Sequence, residues 1–159
     1  MVSAKSAFEM FAVRAKSNGM EIEFTQPLAP GVGWDTALYE ASQWRYEPKA
    51  DFGGGKVDEE SLEIKSASVS EDRKHVFLEM PGIKAGRVVY VRLLGGWTSE
   101  SGAEPWGTEA WYTLNTVPKD VPGKPLPNAY AAAPNTLTSG AGSTAERRGS
   151  PVVGGCDAR

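Results

Sequence analysis

Five tryptophans in a chain of 159 residues are the side chains that most invite a chemical reading. Trp34, Trp97 and Trp106 stand in Gly/Pro/Ser-rich segments (Gly31 to Asp35, Gly95 to Ser99, Glu104 to Gly107), and such loops normally keep to the surface. An exposed indole can stack on a sugar ring through C–H contacts while flanking Asp, Glu, Gln or Arg groups bond the hydroxyls. The competing reading is that these three plug the ends of a β-sandwich. Trp44 and Tyr46 fall on one face of a strand-like segment, with Gln43 and Arg45 on the other. The expected ligand platform is therefore Trp44, Tyr46 and Trp106, with core packing as the alternative, and Trp111 is the expected core aromatic.

The remaining chemistry-bearing residues are few. Asp51 and the run Asp58-Glu59-Glu60 offer carboxylate oxygens of the kind Ca²⁺ prefers, but Gly53, Gly55 and Leu62 stand where an EF-hand loop needs ligands. They are weak Ca²⁺ candidates, and no other cofactor is implied. His75 is the one histidine, so a multi-histidine metal site is impossible, and its nearest Ser and Asp are its own turn neighbours. There is no Gly-x-Ser-x-Gly elbow. Paired carboxylates for glycoside hydrolysis are available in number, but they sit on outward strand positions, where a solvated surface explains them. The one cysteine, Cys156, cannot close an intramolecular disulfide, and no Cys-x-x-Cys-His heme motif occurs.

Seven segments have the alternation, or the β-branched and aromatic content, of short strands: Phe8 to Ala15, Met20 to Thr25, Tyr39 to Tyr46, Leu62 to Val69, His75 to Met80, Val88 to Leu94 and Trp111 to Thr116. Asn18-Gly19 predicts a hairpin between the first two. Asp35 to Leu38 has room for one helical turn, and no segment sustains a 3.6-residue period. The connection from Glu47 to Glu60, with Gly53-Gly54-Gly55, reads as a loop crossing between sheets. The pattern predicts an all-β, two-sheet antiparallel sandwich of about seven strands over residues 7–117 after a flexible 1–6. From Pro118 the chain carries six Pro and six Gly in 42 residues and only one of its 15 aromatics, Tyr130, which predicts a disordered tail over 118–159. Within it, Lys124 to Pro127 should be extended and Ser139 to Ser150 disordered. Val152-Val153 as an added edge strand is the alternative, disfavoured by Pro151 and Gly154-Gly155.

Residues 1–117 carry 12 Lys/Arg against 17 Asp/Glu, a balance of −5 that should repel nucleic acid and anionic lipid. No apolar run approaches a membrane span. The N-terminus lacks the apolar core of a secretory signal, so the chain as given is not addressed for export.

Phe8-Glu9-Met10 through Val13-Arg14-Ala15, then Asn18 to Leu28, Gln43 to Tyr46, Ser70 to Glu79 and Glu109 to Pro118, resemble an Ig-like, fibronectin-like accessory domain of large secreted bacterial proteins. Those proteins also carry c-type cytochrome, sugar-dehydrogenase-like or trehalose-utilisation-like modules. The resemblance spans the whole sandwich, implies an Ig-like or fibronectin type III-like fold for it, and includes no catalytic motif. Pro134-Asn135-Thr136-Leu137-Thr138 is similar to the linker before a jelly-roll domain of the 3-keto-disaccharide hydrolase type, from which Ser139-Gly140-Ala141-Gly142 departs. A fragment whose end is truncated or read out of frame is expected, a genuine flexible tail being the alternative. The resemblance implies an extracytoplasmic parent protein and a non-catalytic module that binds polysaccharide or a neighbouring domain. A passive spacer and a small ester or lactone hydrolase, Ca²⁺-assisted or not, are the alternatives. A monomer without nucleic-acid or membrane partners is expected.

Overall fold

The computed structural model describes residues 6–50 and 53–129. Eight strands follow one another: β1 Met10–Lys16, β2 Gly19–Phe24, β3 Tyr39–Tyr46, β4 Lys56–Ser61, β5 Ser66–Val69, β6 His75–Glu79, β7 Arg87–Leu93 and β8 Glu109–Leu114. One 3-10 turn, Thr36–Leu38, leads into β3 and is capped by Asp35, whose carboxylate accepts from the Ala37 amide at 2.9 Å. The strands form two antiparallel four-stranded sheets, ordered β1-β2-β6-β5 and β4-β3-β7-β8. The expected all-β sandwich is therefore the observed architecture. Among the described residues no helix is long and apolar enough to cross a membrane.

Alternation sets what each sheet turns inward. Met20, Ile22 and Phe24 of β2 and Val76 and Leu78 of β6 face Tyr39 and Ala41 of β3, Val89, Val91 and Leu93 of β7, and Leu114 of β8. Each fully buried aliphatic or aromatic side chain of this kind contributes roughly 1.5–3 kcal/mol. The hairpin expected at Asn18-Gly19 joins β1 to β2, with Lys16 opposite Gly19. Glycine is required there, because a Cβ at position 19 would lie 1.9 Å from the Leu78 carbonyl oxygen of the neighbouring β6.

One end of the sandwich is closed by aromatic rings. Phe8 stacks on Phe24 at 5.6 Å, Phe24 on Trp97 at 5.7 Å, and Tyr39 meets Trp97 edge-on at 5.0 Å. At the other end Gln43, fully buried, donates to Glu60 Oε1 at 2.6 Å and to the Gly82 carbonyl at 2.8 Å, and accepts from the Lys84 amide at 3.0 Å. The amide thus fastens the β6–β7 connection and β4 to the inside of β3.

Three expectations are corrected. The connection from Glu47 to Glu60 contains strand β4, an edge strand whose sequence Lys-Val-Asp-Glu-Glu-Ser gives no apolar alternation. The segment Leu62 to Val69 is not one strand: the chain crosses from the second sheet to the first at residues 62–65, burying Leu62, and only Ser66–Val69 pairs, with β6. The ordered body also extends past residue 117. Ser17 donates to the Val121 carbonyl at 3.1 Å, the Asn18 amide exchanges two hydrogen bonds with the Gly123 backbone at 2.9 and 2.8 Å, and the Leu126 amide reaches Ser68 Oγ at 2.8 Å. Residues 121–126 therefore lie as a strap over the outer face of the first sheet, from the β1–β2 turn to β5. The strap explains why Phe77 and Ser68, which point outward, are nevertheless buried. Gly123 rests on the Phe77 ring so closely that a Cβ would sit 2.0 Å from Cε2. The expectations for Ser139 to Ser150, Val152-Val153 and Cys156 lie outside the described residues.

Candidate functional site

Among the described residues no segment lies over the outer face of the second sheet, and its rows follow from the strand register. Glu40, Arg92 and Glu109 stand in one row, Ser42, Tyr90 and Trp111 in the next, then Trp44, Val88 and Thr113. Tyr46 lies opposite Lys56 beyond them. The aromatic members of adjacent rows meet: Tyr46 is edge-on to Trp44 at 6.3 Å, Trp44 lies 6.1 Å from Tyr90, and Tyr90 lies 5.5 Å from Trp111. An aromatic row thus runs obliquely from β3 over β7 to the edge strand β8.

Exposure divides the row. Trp111 is 60% exposed and Tyr46 53%, whereas Trp44 is 1% exposed although it sits on the outward face. Trp44 is the floor, covered by Tyr46, Tyr90 and the Lys56 ammonium, which stands 3.7 Å from the indole centroid. Its Nε1 is buried without a hydrogen-bond partner.

Charged groups border the rings. The Tyr90 hydroxyl donates to Glu109 Oε1 at 2.6 Å, and this bond, with the carboxylate charge and some burial adding to it, raises the phenol above its ordinary pKa. Arg92 stands between the two acids, 3.9 Å from Glu40 and 3.9 Å from Glu109. The face therefore offers flat apolar rings flanked by fixed hydrogen-bond acceptors and a guanidinium donor. Such groups can stack on a ligand and hydrogen-bond it.

The other expected site residues lie elsewhere. Trp97 is 3% exposed and belongs to the aromatic end plug, with Nε1 directed at the Leu38 carbonyl at 3.4 Å, so it presents no surface to a ligand. The loop 94–108 carries it there by folding back over the open end of the sandwich, where the Leu28–Ser99 bridge fastens it. Trp106 is 84% exposed, but its backbone amide bonds the Phe8 carbonyl at 3.0 Å and its side chain borders a depression lined by Ser6, Gln26 and Ser101. It lies beyond the Tyr39 end of the sheet, away from Tyr46, so the platform Trp44, Tyr46 and Trp106 does not assemble. Trp34 is half-buried beside a cavity of about 320 Å³ at the Leu126 end of the strap, with Val69, Arg73 and Pro127. Trp111 is corrected in the opposite sense. It was expected in the core, but β8 turns Tyr112 and Leu114 inward and Glu109, Trp111 and Thr113 outward. The residues that join Trp44 and Tyr46 are therefore Tyr90 and Trp111. The alternation Glu109-Ala110-Trp111-Tyr112-Thr113-Leu114 held the signal, because its polar members share a face with Trp111.

The Ca²⁺ candidates are engaged by cations. Asp58 bonds the Arg45 guanidinium, which chiefly lowers its pKa, and Glu60 takes Lys84 at 2.7 Å, which does the same for it. Glu59 lies 3.6 Å from Lys56, and Asp51 falls outside the described residues. Among the described residues no three metal-ligating side chains stand together. Around His75, the Ser70 hydroxyl donates to Asp72 and accepts from the His75 backbone amide at 3.0 Å, while the imidazole faces Asp72 at 3.4 Å. The hydroxyl is thus held by the carboxylate rather than by the imidazole, the reverse of what an activated serine needs, and it lowers the Asp72 pKa.

No family model matches the chain, and no curated protein matches it. Among solved structures, the chain is similar to surface layer protein SbsC, domains 1–6, at 17% identity and a TM-score of 0.51, covering 70% of this chain and 14% of that one. It is also similar to S-layer protein rSbsC and to the N-terminal part of the bacterial S-layer protein SbsC, each at 17% identity and a TM-score of 0.50, covering 69% of this chain and 14% and 24% of theirs. The matched stretch is a small part of those proteins, and at this identity what is shared is the sandwich fold.

Proposed function

We propose that this chain is a non-catalytic accessory module of a secreted or surface protein, and that it binds polysaccharide on the outer face of its second sheet. The observation that carries the reading is the row Tyr46, Trp44, Tyr90 and Trp111, whose end rings are 53% and 60% exposed on an open sheet face. Exposed aromatic rings on a rigid sheet lose little conformational entropy on binding, and the charges beside them can bond hydroxyls. The strand order supports a surface-protein module: β1-β2-β6-β5 against β4-β3-β7-β8 follows the immunoglobulin-type order with one strand added beside β3, an architecture that many cell-surface domains share. So does the sequence resemblance to accessory domains of carbohydrate-processing proteins.

Affinity electrophoresis of the full chain in gels containing soluble polysaccharides tests the reading. Retardation should occur with at least one glycan, vanish in Trp111→Ala and persist in Trp106→Ala. Retardation removed by Trp106→Ala instead would move the site to the β7–β8 loop. A chain retarded by no glycan would leave the second reading, a spacer between neighbouring domains, which the fold shared with a multidomain surface-layer protein favours.

A further inference from the structure

We infer that the ligand of the aromatic row is a neutral, linear glycan held over several consecutive sugar units, an inference that rests on the polysaccharide-binding reading and narrows it. Length follows from the spacing of the exposed rings. Tyr46 and Trp111 are separated by two intervening rings, with successive steps of 6.3, 6.1 and 5.5 Å, and the ring beside Tyr46, Trp44, is buried. One pyranose covers one platform, so a ligand that engages both must extend along the row. Once the first sugar is stacked, the second contact forms within the same complex and costs far less freedom than a separate association. Trp111 stands on the edge strand, so the row ends at an open side of the sheet and a polymer can run past it.

Charge selects the class. Glu40 and Glu109 flank Arg92, which is shared between the two acids at 3.9 Å each, and Lys56, over the Trp44 ring, is paired with Glu59 at 3.6 Å. A uronate or sulfate stacked at Trp111 would meet Glu109 with no uncommitted cation in that row. It would also approach a body, residues 1–117, whose balance is 12 cations against 17 anions. Neutral hydroxyls suit the same groups, because each can donate to Glu40 or Glu109 and accept from Arg92.

The test uses the full chain in gels of galactomannan or hydroxyethylcellulose as neutral probes and polygalacturonate or alginate as acidic ones, run at low salt. Calorimetric titration with oligosaccharides of the retarding glycan, from one to six units, follows. Retardation should appear in a neutral gel, be lost in both Trp111→Ala and Tyr46→Ala, and be absent in the acidic gels. Affinity should rise by about tenfold or more from the monomer to the tetramer. Trp111-dependent retardation in an acidic gel would overturn the neutral class while leaving glycan binding intact. Equal affinity for monomer and tetramer would overturn the extended mode. No retardation in any gel would overturn the polysaccharide reading itself. Two variants with thermal midpoints near that of the parent guard against loss of binding through misfolding.

Discussion

Replacing Trp97 and Trp111 by alanine should have opposite consequences, because the two indoles differ in burial rather than in type. Trp97 is wedged between Phe24 and Tyr39, and its truncation should cost about 3–5 kcal/mol in chemical denaturation. Trp111 is 60% exposed, and its truncation should change stability by less than about 1 kcal/mol while removing ligand binding. Gln43→Leu keeps the volume but strands the Gly82 carbonyl and the Lys84 amide, and should cost about 1–3 kcal/mol by the same measurement. Tyr39 carries the pH dependence. Its hydroxyl donates to the Gly33 carbonyl at 2.6 Å, and burial first, then the Asp35 carboxylate, push its pKa well above the ordinary value. A group raised in the folded state stabilises fully below its unfolded pKa, about 10, and that contribution is lost as pH rises from there toward the folded value. Thermal midpoints measured from pH 9 to 11.5 should fall more steeply for the parent than for Tyr39→Phe. Parallel slopes would show that the phenol ionises over the same pH range folded and unfolded, so that its burial shifts nothing.

The strap rests on one close contact, Gly123 against the Phe77 ring. Gly123→Val forces a side chain into the Phe77 ring and should either lift residues 121–126 off the first sheet or strain them, at a cost of about 1–3 kcal/mol. Hydrogen exchange should then quicken at the Gly123 and Leu126 amides, which bond Asn18 and Ser68, and not in β7. Exchange unchanged at both amides would mean the strap does not depend on this contact. Sequence could not announce the strap, since Val121-Pro-Gly-Lys-Pro-Leu126 has the composition of a linker and docks through four hydrogen bonds and one glycine. Strand β2 was legible because Met20, Ile22 and Phe24 alternate with polar residues, and the Asn18-Gly19 turn fixed its partner. Strand β4 was not, because an exposed edge strand needs no apolar face and Val57 is its one large apolar side chain. Trp44 and Tyr46 were legible as sharing a face. That Trp111 joins them was legible only in the polar Glu109 and Thr113 that share its face, a signal offset by the bulk of the indole itself, and the assembled second sheet decides which face is buried.

Across the whole molecule the two outer faces have different fates: the strap covers the first and the aromatic row occupies the second. Deleting residues 119–159 should therefore expose Phe77 and lower the unfolding midpoint by about 5 °C, without weakening ligand binding at the far face. A midpoint unchanged by the deletion would show that the strap adds nothing to the sandwich. In the proposed mode of binding the ligand lies on the Tyr46–Trp111 row. Nuclear magnetic resonance tests it most directly, by following the five indole N–H signals of the ¹⁵N-labelled full chain during titration with a neutral oligosaccharide. The Trp111 signal should shift in a saturable way, with a smaller change at Trp44 beneath the row, while Trp34, Trp97 and Trp106 hold their positions. Saturable shifts at Trp106 or Trp34 with Trp111 unmoved would contradict it.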